Sequence, residues 1–287
     1  MGIPRRAGRR ALAGFSAIGI ALMAALTIAL VPAATPASAQ TGTATLEWFG
    51  WSHFRLTSPN GKVIIINPFV TNPDSTVSLD DITAADVILP ADGHGDELGQ
   101  TPEIAMKTGA KIFAPFELGT YLMGPAKNIP AAQVVRASPG DRMMLDGITI
   151  RMVSSVHGSG LAAGADGVPG YSGPAAGFYV ILENGYTVYF SGSSAATQDM
   201  ALWASAYKPD LMIFHMSAAH DPIDVATSIR LTATDNPNLK MLIPHHHRVQ
   251  VPAGGTTISD VQGSLGTMGI NTPITEPVRS QVYTLSK

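Results

Sequence analysis

The sequence predicts an α/β fold in which two β-sheets pack between layers of helices, a four-layer αββα sandwich. Two observations support this prediction. Ten short apolar runs recur along the 287-residue chain, and segments with helical spacing follow them in both halves. No internal repeat or low-complexity linker follows residue 45, so one domain is expected.

Each predicted strand is a run of three to six residues, most of them rich in β-branched or aromatic side chains. Some runs, such as 62–66 and 211–214, are apolar at consecutive positions, which is typical of strands that are covered on both faces. The predicted strands span residues 45–48, 62–66, 86–89, 111–114, 148–153, 177–182, 187–190, 211–214, 241–243 and 282–285.

Four segments between the strands are predicted helices. The first has Pro102 in its first turn and ends before Gly109, and the third begins with Asp221 as N-cap, followed by proline. The glycine-rich stretch 158–173 lacks periodicity and is predicted to be a mobile loop beside the site. The predicted helices span residues 101–108, 197–207, 221–234 and 259–268.

The first thirty-nine residues have the pattern of an export signal. Basic residues precede an apolar run over 11–31, and Ala-Ser-Ala at 37–39 matches a signal-peptidase site; the pair Arg9-Arg10 is also compatible with a twin-arginine signal. We therefore predict a signal peptide over 1–39 and a folded domain over 40–287. The expected location is periplasmic or extracellular, without stable membrane association after cleavage. A retained membrane anchor is the alternative, since the apolar run is about long enough to span a bilayer.

Composition narrows the chemistry. Four of the 18 basic residues lie in the predicted signal, so the remaining chain has seven fewer basic than acidic residues, which argues against a nucleic-acid partner. The sequence has no cysteine, which excludes disulfides and thiolate ligands. Any metal ion must therefore be held by His, Asp or Glu.

The most informative motif, Asp-Gly-His-Gly-Asp-Glu, directly follows the third predicted strand. Asp92, His94, Asp96 and Glu97 all carry side chains that bind divalent ions, and the glycines between them permit a tight turn. A metal site at this loop is the first interpretation. The alternative is a polar turn that begins a helix, because Asp and Glu are favoured in a first helical turn.

Further segments follow in a fixed order: Trp-Phe-Gly-Trp-Ser-His-Phe at 48–54, Ile-Ile-Asn-Pro-Phe at 65–69, His157, Ser193 and His246. This order resembles the metallo-β-lactamase-fold superfamily, whose signature is a strand followed by His-x-His-x-Asp-His. Within it the chain looks most like the ascorbate-6-phosphate lactonase-like branch, over nearly all of residues 45 to 250. The resemblance implies the αββα fold and a metal centre between the edges of the two sheets.

Three positions depart from the family pattern. Asp92 stands in place of the first signature histidine, Glu97 in place of the last, and Ser193 in place of an aspartate that bridges two metals. Two of these replacements are still good ligands, so the motif becomes an altered Asp-x-His-x-Asp-Glu site. Because a serine cannot bridge two ions as a carboxylate does, the resemblance supports one ion more firmly than two.

The resemblance assigns roles to particular residues. His157 and His246 fall where the family has its third and last ligand histidines, Asp96 would also orient the attacking water, and His220 lies in a loop that borders the family's pocket. Three histidines with three carboxylates would accept one or two divalent ions, with manganese and iron favoured beside zinc. The implied metal ligands are Asp92, His94, Asp96, Glu97, His157 and His246, and the implied catalytic residues are Asp96 and His220.

Other histidines and one tyrosine are less informative. In the triplet 245–247 neighbouring side chains of a strand point to opposite faces, so His245 and His247 are expected to contact nearby loops. His53 and His215 lie in strand-like surroundings and are predicted to be structural. Tyr171, in the glycine-rich stretch, is a candidate for substrate contact.

These observations lead to an exported metal-dependent hydrolase that acts on a small-molecule lactone, ester or phosphoester through metal-activated water. The first alternative is a non-catalytic member of the fold that binds a metal or ligand in the remodelled site. A third hypothesis is a metal-scavenging protein that uses the triplet 245–247.

Overall fold

A computed structural model describes Gly2 and residues 42–165 and 167–287. The predicted signal peptide therefore lies outside the described residues, apart from Gly2. Within the described residues, no helix combines the length and apolar character that a bilayer crossing requires. The strands are β1 (Ala44–Trp48), β2 (Phe54–Thr57), β3 (Val63–Ile66), β4 (Val87–Leu89), β5 (Lys111–Pro115), β6 (Val134–Ala137), β7 (Arg142–Leu145), β8 (Ile148–Ser154), β9 (Gly160–Ala163), β10 (Pro169–Tyr171), β11 (Ala176–Ile181), β12 (Thr187–Phe190), β13 (Leu211–His215), β14 (Met241–His245) and β15 (Tyr283–Leu285). The helices are α1 (Gly95–Leu98), α2 (Thr101–Thr108), α3 (Phe116–Met123), α4 (Asp199–Tyr207), α5 (Pro222–Ala233) and α6 (Ile258–Thr267), with a 3-10 turn at Ala131–Gln133.

The strands form two large sheets and a separate hairpin. The first sheet has seven strands in the order β15-β1-β2-β3-β4-β5-β6, and the second has six in the order β14-β13-β12-β11-β8-β7. Strands β3 to β6 are parallel to one another, as are β12 to β14. Strands β9 and β10 pair only with each other.

The alternation of side chains along each strand produces the layers. In β11, Phe178 and Val180 belong to the core between the sheets, whereas Tyr179 between them packs with the helices behind the second sheet. Ile65 in β3 likewise belongs to the cluster that contains Leu118 of α3, on the outer face of the first sheet. Helices therefore cover both outer faces, and the predicted αββα sandwich is confirmed.

Two helix ends follow the sequence signals. The Asp221 side chain accepts a hydrogen bond from the backbone N–H of Ile223, so it caps α5 as predicted. Gly109 ends α2 in the left-handed region, with φ of 78°.

The prediction of a loop without regular structure over 158–173 was wrong, because this segment contains the β9–β10 hairpin. Its strands are mostly exposed and contain glycine and proline, so they lack the apolar alternation that marks a strand. Strands β2, β6 and β7 and helix α3 were also absent from the sequence prediction.

Candidate metal centre

The ends of several strands meet at one edge of the sandwich. The motif loop follows β4, Asn67 follows β3, and Ser193 follows β12, while His246 follows β14. Because β3 is parallel to β4, and β12 to β14 through β13, the carboxyl ends of these strands lie at the same edge, where α/β proteins usually bind ligands.

A first group of donors consists of Asp92, His94 and His157. One ligand atom from each lies within 4.8 Å of the other two, the one such group found among the described residues. The Nδ1 atom of His94 lies 3.4 Å from Oδ1 of Asp92, and the rings of His94 and His157 stand perpendicular with centroids 5.1 Å apart. His94 and His157 are far apart in the sequence, and they come together because the loops that carry them follow strands of the two packed sheets.

The motif glycine at 93 permits a close approach of the hairpin. A Cβ atom at Gly93 would lie 2.3 Å from the Oγ of Ser172, which follows β10. The Ser172 hydroxyl is itself 2.6 Å from that of Ser159, just before β9. The contact between Ser159 and Ser172 therefore joins the two ends of the β9–β10 hairpin, next to the loop that carries Asp92 and His94.

The first group fits a divalent cation on the evidence of its own atoms. Asp92 is fully buried, and while its Oδ1 accepts the backbone N–H of His94, its Oδ2 is buried without a hydrogen-bond partner among the described residues. An unpaired buried carboxylate oxygen costs free energy, and a metal ion is the partner that imidazole and carboxylate donors jointly suit. Asp92, His94 and His157 are therefore the residues that would hold an ion here.

The second group consists of Asp96, Glu97 and His246. The Nε2 atom of His246 lies 3.3 Å from Oδ2 of Asp96 and 3.6 Å from Oε1 of Glu97. Asp96 is a third exposed, whereas Glu97 is buried. All six predicted metal ligands thus lie at this edge, in two groups of three.

His245 sets the hydrogen position of His246. The Nε2 of His245 lies 3.1 Å from the carbonyl oxygen of Gly192, which only accepts, so this nitrogen carries the hydrogen. Burial lowers the pKa of His245 well below its usual value, so its Nδ1 is unprotonated and accepts from the Nδ1 of His246, 2.9 Å away. The Nε2 atom of His246 then faces Asp96 Oδ2, and it donates a hydrogen bond to this oxygen when the ring carries a second proton. A metal ion would take the place of that proton.

Glu97 has a different environment from the other carboxylates. Its Oε2 accepts a short hydrogen bond from the Nδ2 of Asn67, and its Oε1 accepts one from the Oγ of Ser193. The Oδ1 of Asn67 in turn accepts the backbone N–H of Ala91. Glu97 therefore links the motif loop to both sheets, and the serine that replaces the bridging aspartate serves as its partner.

The electrostatics separate the three carboxyl groups. Burial raises the pKa of Asp92 to about 6, and burial together with the nearby Asp92 raises the pKa of Glu97 well above its usual value. The hydrogen bond with His246 lowers the pKa of Asp96. Of the three carboxyl groups, Asp96 is therefore the one that ionises most readily without a metal ion.

A row of histidines continues from the donors into a cavity. The His215 ring lies 5.9 Å from that of His157, 5.0 Å from that of His246 and 4.5 Å from that of His220. Burial lowers the pKa values of His157 and His220, and that of His215 to about 2, so these rings are neutral. His220 lies outside the two metal groups and borders the cavity, and its catalytic role stays a prediction.

His215 is the site residue that sequence reasoning missed. Its position at the carboxyl end of β13, parallel to the strand that ends in His245, was the available signal. Tyr171, expected to contact substrate, is 68% exposed on the outer strand of the hairpin.

Three residues at this edge have positive φ angles without being glycine. These are Trp51 at 51°, Asn67 at 44° and His246 at 56°. The backbone N–H of His246 donates to the carbonyl of Trp51 over 3.2 Å, and their rings contact edge to face with centroids 5.7 Å apart. Such strained conformations cost about 1–3 kcal/mol each and persist where the surrounding structure enforces them, as at functional sites.

Comparison with known proteins shows the family to which this fold belongs. A family model described as a beta-lactamase superfamily domain matches residues 62–247. The chain is 31% identical over 214 residues to a UPF0173 metal-dependent hydrolase of Myxococcus xanthus, covering 74% of this chain and 73% of the relative. It is 32% identical over 247 residues to a protein of the same description from Thermodesulfovibrio yellowstonii, covering 81% and 89%.

Solved structures show the same fold. The metallo hydrolase Igni18 of Ignicoccus hospitalis superposes with a TM-score of 0.69 at 22% identity, covering 85% of this chain and 99% of that one. An isothiocyanate hydrolase from Delia radicum gut bacteria gives a TM-score of 0.61 at 15% identity, covering 84% and 99%. At these identities the likeness extends to the fold alone.

Proposed function

We propose that this chain, which belongs to the beta-lactamase superfamily and to its UPF0173 metal-dependent hydrolases, hydrolyses a small-molecule lactone, ester or phosphoester at its altered Asp-x-His-x-Asp-Glu site. The family and the coarse activity, metal-dependent hydrolysis, follow from the comparisons. The substrate class and the use of the altered site are the proposal. The assignment to the ascorbate-6-phosphate lactonase-like branch likewise stays a proposal.

One observation carries the assignment of the site. Asp92, His94 and His157 converge within 4.8 Å, and the buried Oδ2 of Asp92 has no partner among the described residues. A divalent ion supplies Lewis acidity, which polarises a carbonyl or phosphoryl group and acidifies water. The donor atoms suit zinc, manganese or iron.

The residues around this group have distinct tasks. Asp96 keeps its negative charge and is exposed enough to accept a hydrogen bond from water, so it orients the nucleophile. The Nδ1 of His220 accepts the backbone N–H of Ser217 over 3.1 Å, which places the hydrogen of the neutral ring on Nε2. His220 then donates a hydrogen bond to a substrate oxygen in the neighbouring cavity.

The second group favours one well-held ion over two. Both oxygens of Glu97 are engaged by Asn67 and Ser193, so a second ion at Glu97 would have to compete with these two hydrogen bonds. This observation also favours the alternative of a non-catalytic member that binds metal without turnover. The two proposals differ in activity and agree in metal content.

Metal analysis and a panel of substrates test the proposal together. Protein purified without chelator is expected to contain about one ion per chain, and His94→Ala is expected to lose both the ion and the hydrolysis of esters, lactones or phosphoesters. Glu103→Gln, an exposed change on α2, is the control and should keep both. Full metal content without turnover on any substrate would favour the non-catalytic alternative, and activity that survives His94→Ala would refute the site.

Export is the remaining part of the proposal. It rests on the sequence pattern of residues 1–39, with cleavage before Gln40. Mass spectrometry of the mature protein from the periplasm or medium should give a chain that begins at Gln40. Recovery of the intact chain in the membrane fraction would instead identify a retained anchor.

A further inference from the structure

A cavity of about 230 Å³ lies between the first turns of α5 and the loop that follows β12. His215 and His220 form its inner wall, Ser194 and Ala195 one side, and Asp224 and Ser228 the helix side. Taking about 30 Å³ for one water, the volume equals roughly eight waters, which suits a group of about six to eight non-hydrogen atoms.

This cavity adjoins the metal donors directly. His215 contacts His157 of the first donor group and His246 of the second, with ring centroids 5.9 and 5.0 Å apart. The Nδ1 atom of His215 is buried and has no hydrogen-bond partner among the described residues. A ligand in the cavity would therefore lie against a ring that contacts both donor groups.

The charges that line the cavity have one sign. Asp224, in the first turn of α5, is the acidic side chain among the described lining residues, and none of them is Lys or Arg. A second cavity, of about 300 Å³, has the opposite character because Arg248 and Arg279 line it beside Asp74. Trp51, which lines that second cavity, contacts His246 of the second donor group, whereas His215 in the wall of the first cavity contacts His157 as well as His246.

We infer that the 230 Å³ cavity takes the acyl group of a small uncharged ester or lactone, and that Asp224 discriminates against substrates with an anionic acyl group. The inference rests on the proposed hydrolase function and narrows it, because phosphoesters and carboxylate-bearing esters become poor substrates. The physical basis is Coulomb repulsion at an exposed carboxylate, which corresponds to about a three- to ten-fold effect and is screened by salt.

The test compares two substrates of similar size with the same leaving group, 4-nitrophenyl butyrate and 4-nitrophenyl hemisuccinate. The metal-loaded protein is expected to hydrolyse the neutral butyrate with about three- to ten-fold higher kcat/KM. Asp224→Asn should narrow this ratio by about three- to ten-fold at low ionic strength, with a smaller change at high salt. Glu103→Gln removes the same charge on α2 and should leave the ratio unchanged.

A second variant tests the cavity itself. Ala195→Leu, at an exposed lining position, should reduce kcat/KM for the butyrate ester more than for the acetate ester, at unchanged metal content. Equal kcat/KM for butyrate and hemisuccinate, unchanged in Asp224→Asn, would overturn the inference while hydrolysis stands. A preference for hemisuccinate that is lost in Arg248→Gln would also overturn it, in favour of the arginine cavity.

Binding of stable amides separates this inference from the hydrolase proposal. If no ester is hydrolysed, but calorimetry shows tighter binding of N-phenylbutyramide than of N-phenylsuccinamic acid and Asp224→Asn closes the gap, the cavity inference stands and hydrolysis falls. Absence of both turnover and binding overturns both.

Discussion

The contact between Asn67 and Glu97 makes a quantitative prediction for Asn67→Asp. Both side chains are buried, at 0% and 1% exposure, and the Asn67 amide donates to a Glu97 oxygen. An aspartate at 67 has no hydrogen to donate unless it is protonated, so the pair must bury an additional charge or take up an additional proton. Protonating an ordinary aspartate at pH 7 costs about 4 kcal/mol, and loss of a buried hydrogen bond costs about 1–3 kcal/mol, so we expect a destabilisation of about 2–4 kcal/mol.

Urea unfolding of the chelator-treated protein measures this loss. Because the new carboxyl pair binds its proton more tightly in the folded state, the deficit should grow as the pH rises from 5 to 8 and shrink toward pH 4. Asn271→Asp, at an exposed position, adds the same charge and should change stability by less than about 0.5 kcal/mol. The double variant Asn67→Asp/Glu97→His creates a carboxylate–imidazole pair. Its free energy of unfolding should be higher than the sum of the effects of the two single changes predicts. Equal stability of Asn67→Asp and wild type at pH 8 would refute the reasoning.

Two further predictions concern acid stability and the hairpin. His53 is fully buried, neither of its ring nitrogens has a partner among the described residues, and burial lowers its pKa to about 3. The free energy of unfolding should therefore fall by up to about 5 kcal/mol as the pH drops from 6.5 to 3. His53→Phe should remove most of that fall when unfolding is measured as a function of pH. Gly93→Ala should weaken metal binding at least about ten-fold in a chelator competition assay, because its Cβ would lie 2.3 Å from Ser172 Oγ. Gly95→Ala, whose Cβ would meet nothing within 4 Å, is the matched control, and equal affinities would show that the hairpin contact does not shape the site.

The sequence predicted the layers because their strands carry strong local patterns. Runs such as 63–66 and 211–214 are covered on both faces and are therefore continuously apolar, so they were recognisable without tertiary information. Strands β9 and β10 are mostly exposed and contain glycine and proline, and Ser172 after β10 lies against Gly93 of the motif loop. No local pattern could reveal them.

The residues of the candidate site also differ in how far the sequence alone could predict their roles. The types of donor at Asp92 and His94 were readable from one loop, and the resemblance supplied His157 and His246. The role of Glu97 was not readable, because its partners Asn67 and Ser193 are 30 and 96 residues away in sequence. Whether a carboxylate faces a metal ion or two hydrogen-bond donors depends on such distant contacts.

The strained backbone at Trp51 and His246 bears on how this protein would respond to laboratory evolution. Glycine at either position would release about 1–3 kcal/mol of conformational energy, so selection for heat resistance alone would enrich glycine there. The same changes would delete the indole that packs on His246, or the imidazole itself. Libraries screened for thermostability should therefore hold these two codons fixed, or couple the screen to metal retention, since gains made there would come at the expense of the site.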